Sequence, residues 1–252
     1  MGKVTVSRNN DIVWVTINRP DKRNAIDYDV MVQLDCILTE IEQNENDKVL
    51  IITGAGDRAF CSGGDLSIFH SLHTKEKAQE MLERMANILY RLFLFPKITI
   101  AAVNGVAVGG GCEIAVACDF RLASPNARLG FIQATLGITT GWGGSSMLLE
   151  RIESQKALQF LFSAEIVTAK EAEQKGLVTD LVNESDFRVG CEEWVLPFIK
   201  QSVPVLQAYK KRWLDQIDRD ELKKRFAAEV DECSTLWESE EHQEAVKKFL
   251  KK

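Results

Sequence analysis

The sequence has little that indicates a metal site, a disulfide framework or a membrane protein. Its 252 residues include six cysteines and three histidines, and no two cysteines are spaced as a Cys-x-x-Cys pair. No zinc or other metal is therefore expected. The N-terminus lacks the apolar core of a signal peptide, and no apolar run approaches the roughly 20 residues of a membrane span. These absences predict a protein of the reducing cytoplasm with no membrane partner.

Positive charge is in the minority. The chain has 31 lysines and arginines against 37 aspartates and glutamates, a formal net charge of −6, and no basic patch stands out in the sequence. Nucleic acid is therefore not an expected partner. Hydrophobic residues make up 45% of the chain. That fraction supports a globular core, and the length fits one large domain or a core with a small appendage.

Apolar patterning divides the chain into an alternating part and a helical part. Strands and helices alternate first, which predicts an α/β core over residues 1–190, and helices then fill 191–252. The predicted elements before Gly144 are a hairpin turning at Asn9–Asn10, a helix capped by Asp27, buried strands over 48–56 and 98–108, a long helix stopped by Pro96, and two short strands over 120–131. Those after it include a helix that starts at a Ser154 cap and one with a Thr168–Glu171 capping box.

One glycine-rich stretch partly matches a nucleotide-binding motif. "TGAGDRA", residues 53–59, follows a predicted strand and fits the loose pattern G-x-G-x-x-A. A dinucleotide site needs a helix immediately afterwards and an acidic residue about 20 positions further on. The stretch "FCSGGDL" follows instead, and Thr74 and Lys75 stand where the acid is needed. The motif is therefore interpreted as a glycine-rich loop.

Two other glycine loops point to chemistry. "CSGGDL" (61–66) and "VGGGCE" (108–113) each follow a predicted buried strand. Glycines let a ligand approach backbone N–H groups closely, and the second loop opens a helix whose first N–H groups have no intrahelical acceptor. Two N–H groups, one from each loop, can form an oxyanion hole. The alternative interpretation is that both are simple turns.

Four motifs in order carry a resemblance to a known family. They are "NRPDKRNAI" (18–26), "AFCSGGDL" (59–66), "AAVNGVAVGGGCEIAVACDFRLAS" (101–124) and "LGITTGWGG" (136–144). With the C-terminal "WESEEHQEAVKKFLKK", they resemble the crotonase superfamily, also called the enoyl-CoA hydratase/isomerase family. The resemblance implies an α/β fold of repeated ββα turns, with C-terminal helices that build a homotrimer or a dimer of trimers. It also implies an acyl-CoA thioester as substrate and no further cofactor.

By motif position, the resemblance assigns a set of site residues. The N–H groups of Gly64 and Gly110 are expected to hold the thioester oxygen. The residues expected along the CoA or acyl group are Lys22, Arg23, Ala25, Ser62, Gly63, Asp65, Leu66 and Trp142. Lys22 and Arg23 fit equally well as solvated surface charges, and Trp142 as ordinary packing at a helix start. The three histidines form no triad or metal site and are expected at the surface. For His70 and His73, which follow the CoA-loop motif, the alternative is a place near the lid of the acyl pocket.

The catalytic acids depart from the family pattern. Family hydratases use two glutamates; the first matches Glu113, and the second falls on Gln133. Glutamine cannot titrate and only donates and accepts hydrogen bonds. Family membership favours a hydratase-type lyase. Gln133, together with "ACDFRL", "LGI" and "WGG", resembles the ethylmalonyl-CoA decarboxylase branch and favours decarboxylation with Glu113 as the acid. A non-catalytic CoA-binding scaffold is the third alternative.

Overall fold

The computed structural model describes residues 2–250, and its ten strands form two sheets. The strands are β1 (Val4–Asn9), β2 (Ile12–Ile17), β3 (Val49–Gly54), β4 (Ala59–Cys61), β5 (Ile98–Val103), β6 (Val106–Val108), β7 (Phe120–Ala123), β8 (Arg128–Gly130), β9 (Val167–Thr168) and β10 (Asp180–Leu181). The larger sheet has the order β1-β2-β3-β5-β7-β10, and the smaller has the order β4-β6-β8-β9.

Successive turns of the chain place one strand in each sheet. The pairs β3 and β4, β5 and β6, and β7 and β8 each divide in this way between the larger and the smaller sheet. Within both sheets the strands from successive turns pair in parallel. The predicted α/β fold of repeated ββα turns is confirmed.

The helices follow the expected alternation and then dominate the end of the chain. They are α1 (Tyr28–Gln43), α2 (Leu66–Phe69), α3 (Lys75–Phe93), α4 (Gly110–Ala117), α5 (Gly144–Arg151), α6 (Ser154–Ser163), α7 (Ala169–Gln174), α8 (Phe187–Ile199), α9 (Val203–Leu214), α10 (Arg219–Trp237) and α11 (Glu240–Leu250). Two predicted caps are confirmed. Asp27 accepts a hydrogen bond from Val30 N at the start of α1, and Thr168 and Glu171 form a capping box on α7.

Three local predictions need correction. The hairpin turns at Asn10–Asp11, one residue later than predicted, because these two residues adopt the positive φ angles of a two-residue turn. The stretch 98–108 is two strands, because the chain crosses between sheets at Gly105, where a Cβ atom would lie 2.6 Å from the Arg58 carbonyl carbon. Ser154 is not a cap. Only two residues connect α5 to α6, and Glu153 stands at the N-cap position, where its side chain forms no hydrogen bond with the helix.

The larger sheet is covered on both faces. On one face α1, α3 and α4 join the main core, which also includes side chains of α10. On the other face α8 packs Cys191 and Val195 against Trp14, Ile51 and Ile100. The predicted boundary between 1–190 and 191–252 falls inside α8, and the division into two regions remains a prediction. Helix α10 crosses α3 and α5, which brings the end of the chain to the glycine loops.

Candidate active site

A small cavity of about 80 Å³ lies where the two predicted glycine loops meet α10. Eight of the residues predicted for the site line it: Ser62, Gly63, Gly64, Leu66, Gly110, Glu113, Gln133 and Trp142. Apolar side chains of α3 and α10, among them Met81, Leu82 and Trp237, complete the wall. The sequence therefore identified the loops that form the cavity, whereas the side that α10 closes was missed.

The two loops lie against each other with free backbone donors. Ile26 N donates to Gly63 O and Asp65 N donates to Ile26 O, so the loop is held on either side of Gly64. Helix α4 starts at Gly110, and its N-cap residue, Gly109, supplies no side-chain hydrogen bond. Within residues 2–250, neither the Gly64 nor the Gly110 amide donates to an acceptor. Both N–H groups thus remain available to an oxygen atom of a ligand.

Packing explains why Gly110 carries no side chain. A Cβ atom built on Gly110 would lie 2.1 Å from Cζ3 of Trp142. The indole ring is 4% exposed and lines the cavity, so it both packs against the helix start and forms part of the cavity wall. The two interpretations of Trp142 made from the sequence are therefore compatible.

Glu113 is fixed from three sides. Its Oε2 accepts hydrogen bonds of 2.9 Å from the backbone N–H groups of Trp142 and Gly144, and its Oε1 accepts one from Gln133. The side chain is only 3% exposed. Burial raises the pKa of Glu113 to about 8, and the negative charge of Glu229 contributes to the rise, whereas the three hydrogen bonds oppose it. A carboxyl group with this pKa can donate a proton near neutral pH.

Gln133 stands beside Glu113 with one polar atom unused. It begins a 3-10 turn over Gln133–Leu136, and its Nε2 donates to Oε1 of Glu113 at 2.9 Å. Its own Oε1 is buried and has no hydrogen-bond partner within the described part of the chain. The same is true of Nε1 of Trp237. Buried polar atoms are rarely left unpaired, so both residues have capacity for a ligand's polar groups.

Arg19 anchors the first glycine loop, a role that sequence reasoning missed. Its Nη2 lies 2.8 Å from Oδ2 of Asp65 and 3.2 Å from Oδ2 of Asp27, and its Nη1 donates to Ala25 O. Asp65 also caps α2 through Ser67 N and does not line the cavity. Arg19 stands inside the motif "NRPDKRNAI", but nothing in the sequence identifies its two carboxylate partners.

The remaining predicted residues lie next to this loop and outside the cavity. Lys22 and Arg23 are exposed, and neither forms an ion pair among the described residues. Arg23 O accepts from Ser62 N, which joins their segment to the loop, and Ala25 is buried beside it. The structure thus leaves both cations free at the edge of the site.

One prediction about the histidines is wrong. His70 and His73 are exposed as expected, whereas His242 is 1% exposed. The His242 ring packs against Trp237, with 4.6 Å between ring centroids, and its Nδ1 lies 2.7 Å from Leu136 O. Burial of the ring lowers the pKa of His242.

The arrangement of free amides, a buried acid and an apolar cavity agrees with comparisons with known proteins. A family model described as enoyl-CoA hydratase/isomerase matches residues 7–252. The chain belongs to this family. It is 33% identical over 253 aligned residues to the short-chain-enoyl-CoA hydratase of Clostridium acetobutylicum, with 100% of this chain and 96% of that protein covered. It is 35% identical over 213 residues to the ethylmalonyl-CoA decarboxylase of Xenopus tropicalis, with 83% and 71% covered.

A solved structure agrees with the fold. The enoyl-CoA hydratase from Bacillus halodurans superposes with a TM-score of 0.89 at 24% identity, over 98% of this chain and 100% of that chain. As a member of the enoyl-CoA hydratase/isomerase family, the protein is an enzyme that processes CoA thioesters. No helix within the described residues is long and apolar enough to cross a membrane.

Proposed function

We propose that this enzyme decarboxylates short methylmalonyl- or ethylmalonyl-type acyl-CoA thioesters, with Glu113 as proton donor and Gln133 as the amide that orients the substrate. The observation that carries the proposal is the pairing of a single buried acid with a neutral amide in the same cavity. A second carboxylate at residue 133 would repel the carboxylate of a malonyl-type substrate. An amide can instead hydrogen-bond to it.

The chemistry requires no base. The bond between the α-carbon and the carboxylate carbon breaks, CO₂ leaves, and the electron pair forms a thioester enolate. The enolate oxygen accepts hydrogen bonds from the N–H groups of Gly64 and Gly110, each worth roughly 3 kcal/mol in such sites. Glu113 then transfers its proton to the α-carbon, which gives the saturated acyl-CoA. Solvent returns the proton to Glu113.

The amide of Gln133 can serve both protonation states of Glu113. Beside an ionised Glu113, Nε2 donates to the carboxylate, as observed. Beside a protonated Glu113, a reversed amide accepts the acid proton through Oε1 and leaves its NH₂ group free in the cavity. That NH₂ group can then donate to a substrate carboxylate. Trp237, whose Nε1 has no partner in the described chain, offers a second donor from the cavity wall.

The cavity favours a short acyl group. Its volume is about 80 Å³, and its wall consists largely of apolar side chains such as Phe69, Leu82 and Ile138. Trp142 closes one side against Gly110. A branch of one or two carbons fits this space better than a long fatty acyl chain.

Hydration of a short enoyl-CoA is the second candidate, and one observation favours it. The relative from Clostridium acetobutylicum, which covers the whole of this chain, is named a short-chain-enoyl-CoA hydratase. In that reaction Glu113 alone would have to position the water and deliver the proton, because Gln133 cannot exchange a proton. The missing second carboxylate is the argument against efficient hydration.

The deciding experiment offers the purified protein three thioesters. Methylmalonyl-CoA and ethylmalonyl-CoA are followed by CO₂ release, and crotonyl-CoA by loss of its enoyl absorbance. We expect CO₂ release that the Glu113→Gln variant loses, with slow or no hydration. Rapid hydration without CO₂ release would contradict the proposal in favour of a hydratase. Binding of CoA thioesters without turnover of any would establish the scaffold alternative.

We also propose that copies of the chain assemble as a homotrimer or a dimer of trimers in the cytoplasm. Two large side chains on helices near the surface, Phe162 of α6 and Tyr209 of α9, are 78% and 75% exposed, which supports contact with a second copy. All six cysteines are free thiols, which supports a reducing compartment. Light scattering should give three or six times the chain mass of 28.3 kDa. A monomer would contradict the assembly.

A further inference from the structure

Two buried glutamates from distant parts of the chain share the N-terminus of α5. Oε2 of Glu113 accepts from Gly144 N, the first residue of the helix. Glu229 of α10 accepts from the next two N–H groups, those of Ser145 at 3.2 Å and Ser146 at 3.0 Å. It also accepts from both serine hydroxyls, at 2.5 and 3.0 Å. Two carboxylates thus share the first three N–H groups of α5, and Ser145 N has Thr140 Oγ1 as a second acceptor at 3.2 Å.

No cation balances these two groups. Within residues 2–250, neither Glu113 nor Glu229 lies within ion-pair distance of a lysine, arginine or histidine. Two thiols also face them, Cys112 of α4 and Cys233 of α10, and Arg225, one helical turn before Glu229, is paired with Glu150. A helix N-terminus supplies only about half a positive charge. Two full negative charges at this position are therefore unfavourable, and a proton on one of the two carboxyl groups relieves their repulsion.

The hydrogen bonds decide which glutamate carries that proton. Glu229 accepts from two backbone N–H groups and two serine hydroxyls, and four donors of this kind favour its ionised form. Glu113 has Gln133 beside it, and reversal of that amide provides an acceptor for an acid proton. The unpaired Oε1 of Gln133 is the atom that this reversal would use.

We propose that Glu229 is a positioning residue of the active site: its fixed negative charge at the start of α5 keeps the proton on Glu113, and its bonds to Ser145 and Ser146 hold the turn that binds Glu113. This proposal rests on the proposed function only in that Glu113 is taken as the proton donor. Glu229 does not line the cavity and acts through Glu113 alone.

The test measures the protonation of Glu113 in the ligand-free enzyme by infrared difference spectroscopy. In the wild type we expect a protonated carboxyl band at pH 7 that the Glu113→Gln variant lacks. In Glu229→Gln, removal of the like charge should lower the pH at which this band disappears by about one unit. The pH at which kcat/KM for CO₂ release falls should move by the same amount.

Two further variants distinguish the effect of the Glu229 charge from the effect of its packing. Glu229→Asp keeps the charge, so we expect the band to titrate near the wild-type pH even if the variant is less stable. Glu232→Gln removes an exposed charge from the same helix, three residues after Glu229, and should leave the titration unchanged. An ionised Glu113 at pH 7 in the wild type, or an equal shift in Glu229→Asp and Glu229→Gln, would overturn the proposal. Failure of CO₂ release would refute the proposed function and leave this titration as a separate test.

Discussion

Nε2 of Gln133 donates a 2.9 Å hydrogen bond to Oε1 of Glu113, so the single acid of the cavity is paired with a neutral amide. The same acid accepts through Oε2 from two backbone N–H groups, that of Trp142 before α5 and that of Gly144, the first residue of α5. Glu113 therefore has a fixed position, a low-dielectric surrounding and one neighbour that can change its hydrogen-bond direction. These are the properties of a group that delivers one proton to carbon.

Replacement of the buried acid should stabilise the protein at high pH. The pKa of Glu113 is raised from 4.5 to about 8, so this carboxyl group costs folding free energy progressively as pH rises from about 4.5 to 8. Glu113→Gln removes that cost. Thermal unfolding should show a melting temperature close to that of the wild type at pH 5 and about 10 °C higher at pH 8. The exposed control Glu193→Gln should show no such pH-dependent difference. If Glu113→Gln were destabilised equally at both pH values, the raised pKa of Glu113 would be contradicted.

If Glu113 is the proton donor, its pKa should also set the pH dependence of catalysis. A proton donor is active in its protonated form, so kcat/KM for CO₂ release, which reports the free enzyme, should be nearly constant below pH 7. It should fall as pH rises through about 8, where Glu113 ionises. Measurement of kcat/KM from about pH 6 to about pH 10, about two units either side of that pKa, tests this. A rate that increases through pH 8 would indicate that Glu113 acts as a base.

A methyl group on the second glycine loop should disable the site. In Gly110→Ala the new Cβ would lie 2.1 Å from Cζ3 of Trp142, so the indole or the start of α4 must move. Loss of one oxyanion donor typically costs 10²–10³-fold, and we expect kcat/KM to fall by about 100-fold. Gly176→Ala at the end of α7 is the matched control: its positive φ makes it less stable, but it is not part of the cavity, so its kcat/KM should be unchanged. Wild-type kcat/KM in Gly110→Ala would exclude the Gly110 amide as a donor.

Loss of Arg19 should affect substrate binding and stability together. Arg19→Gln leaves the nearly buried carboxylates of Asp27 and Asp65 without their shared guanidinium, which should cost about 3 kcal/mol of unfolding free energy. The loop that holds Gly64 loses its anchor, so KM for the thioester should rise about 10-fold. Arg91→Gln breaks ion pairs with the more exposed Asp35 and Glu42 and should change neither quantity by much. Equal effects of the two substitutions in denaturant unfolding and steady-state kinetics would refute the anchoring role.

The sequence predicts those parts of the site that are formed by residues close together in the chain. The glycines of 61–66 and 108–113 and the acid Glu113 stand in short motifs whose backbone geometry follows from residue type. The crossover at Gly105 could not be predicted, because the apolar run 98–108 is equally compatible with one long strand. Only the two-sheet arrangement reveals that its halves belong to different sheets.

Contacts between residues far apart in the sequence could not be predicted either, because they depend on how the elements pack. Glu229 lies 116 positions after Glu113, and the carboxylates that Arg19 binds are identical in type to many others in the chain. The turn of α10 that carries Trp237 has the ordinary pattern of an amphipathic helix. Which of its side chains reach the cavity depends on how α10 crosses α3 and α5, and no local motif encodes that crossing.

The most direct test of the central claim compares two reactions, decarboxylation of ethylmalonyl-CoA and hydration of crotonyl-CoA. The quantity is the ratio of their kcat/KM values, measured in the wild type and in Gln133→Glu. The substitution places a second carboxylate beside Glu113, which should repel the substrate carboxylate and supply the missing acid–base group. The account predicts a ratio well above one in the wild type and a fall of at least about 100-fold in the variant. A wild-type ratio below one, or a ratio that Gln133→Glu leaves unchanged, would contradict it.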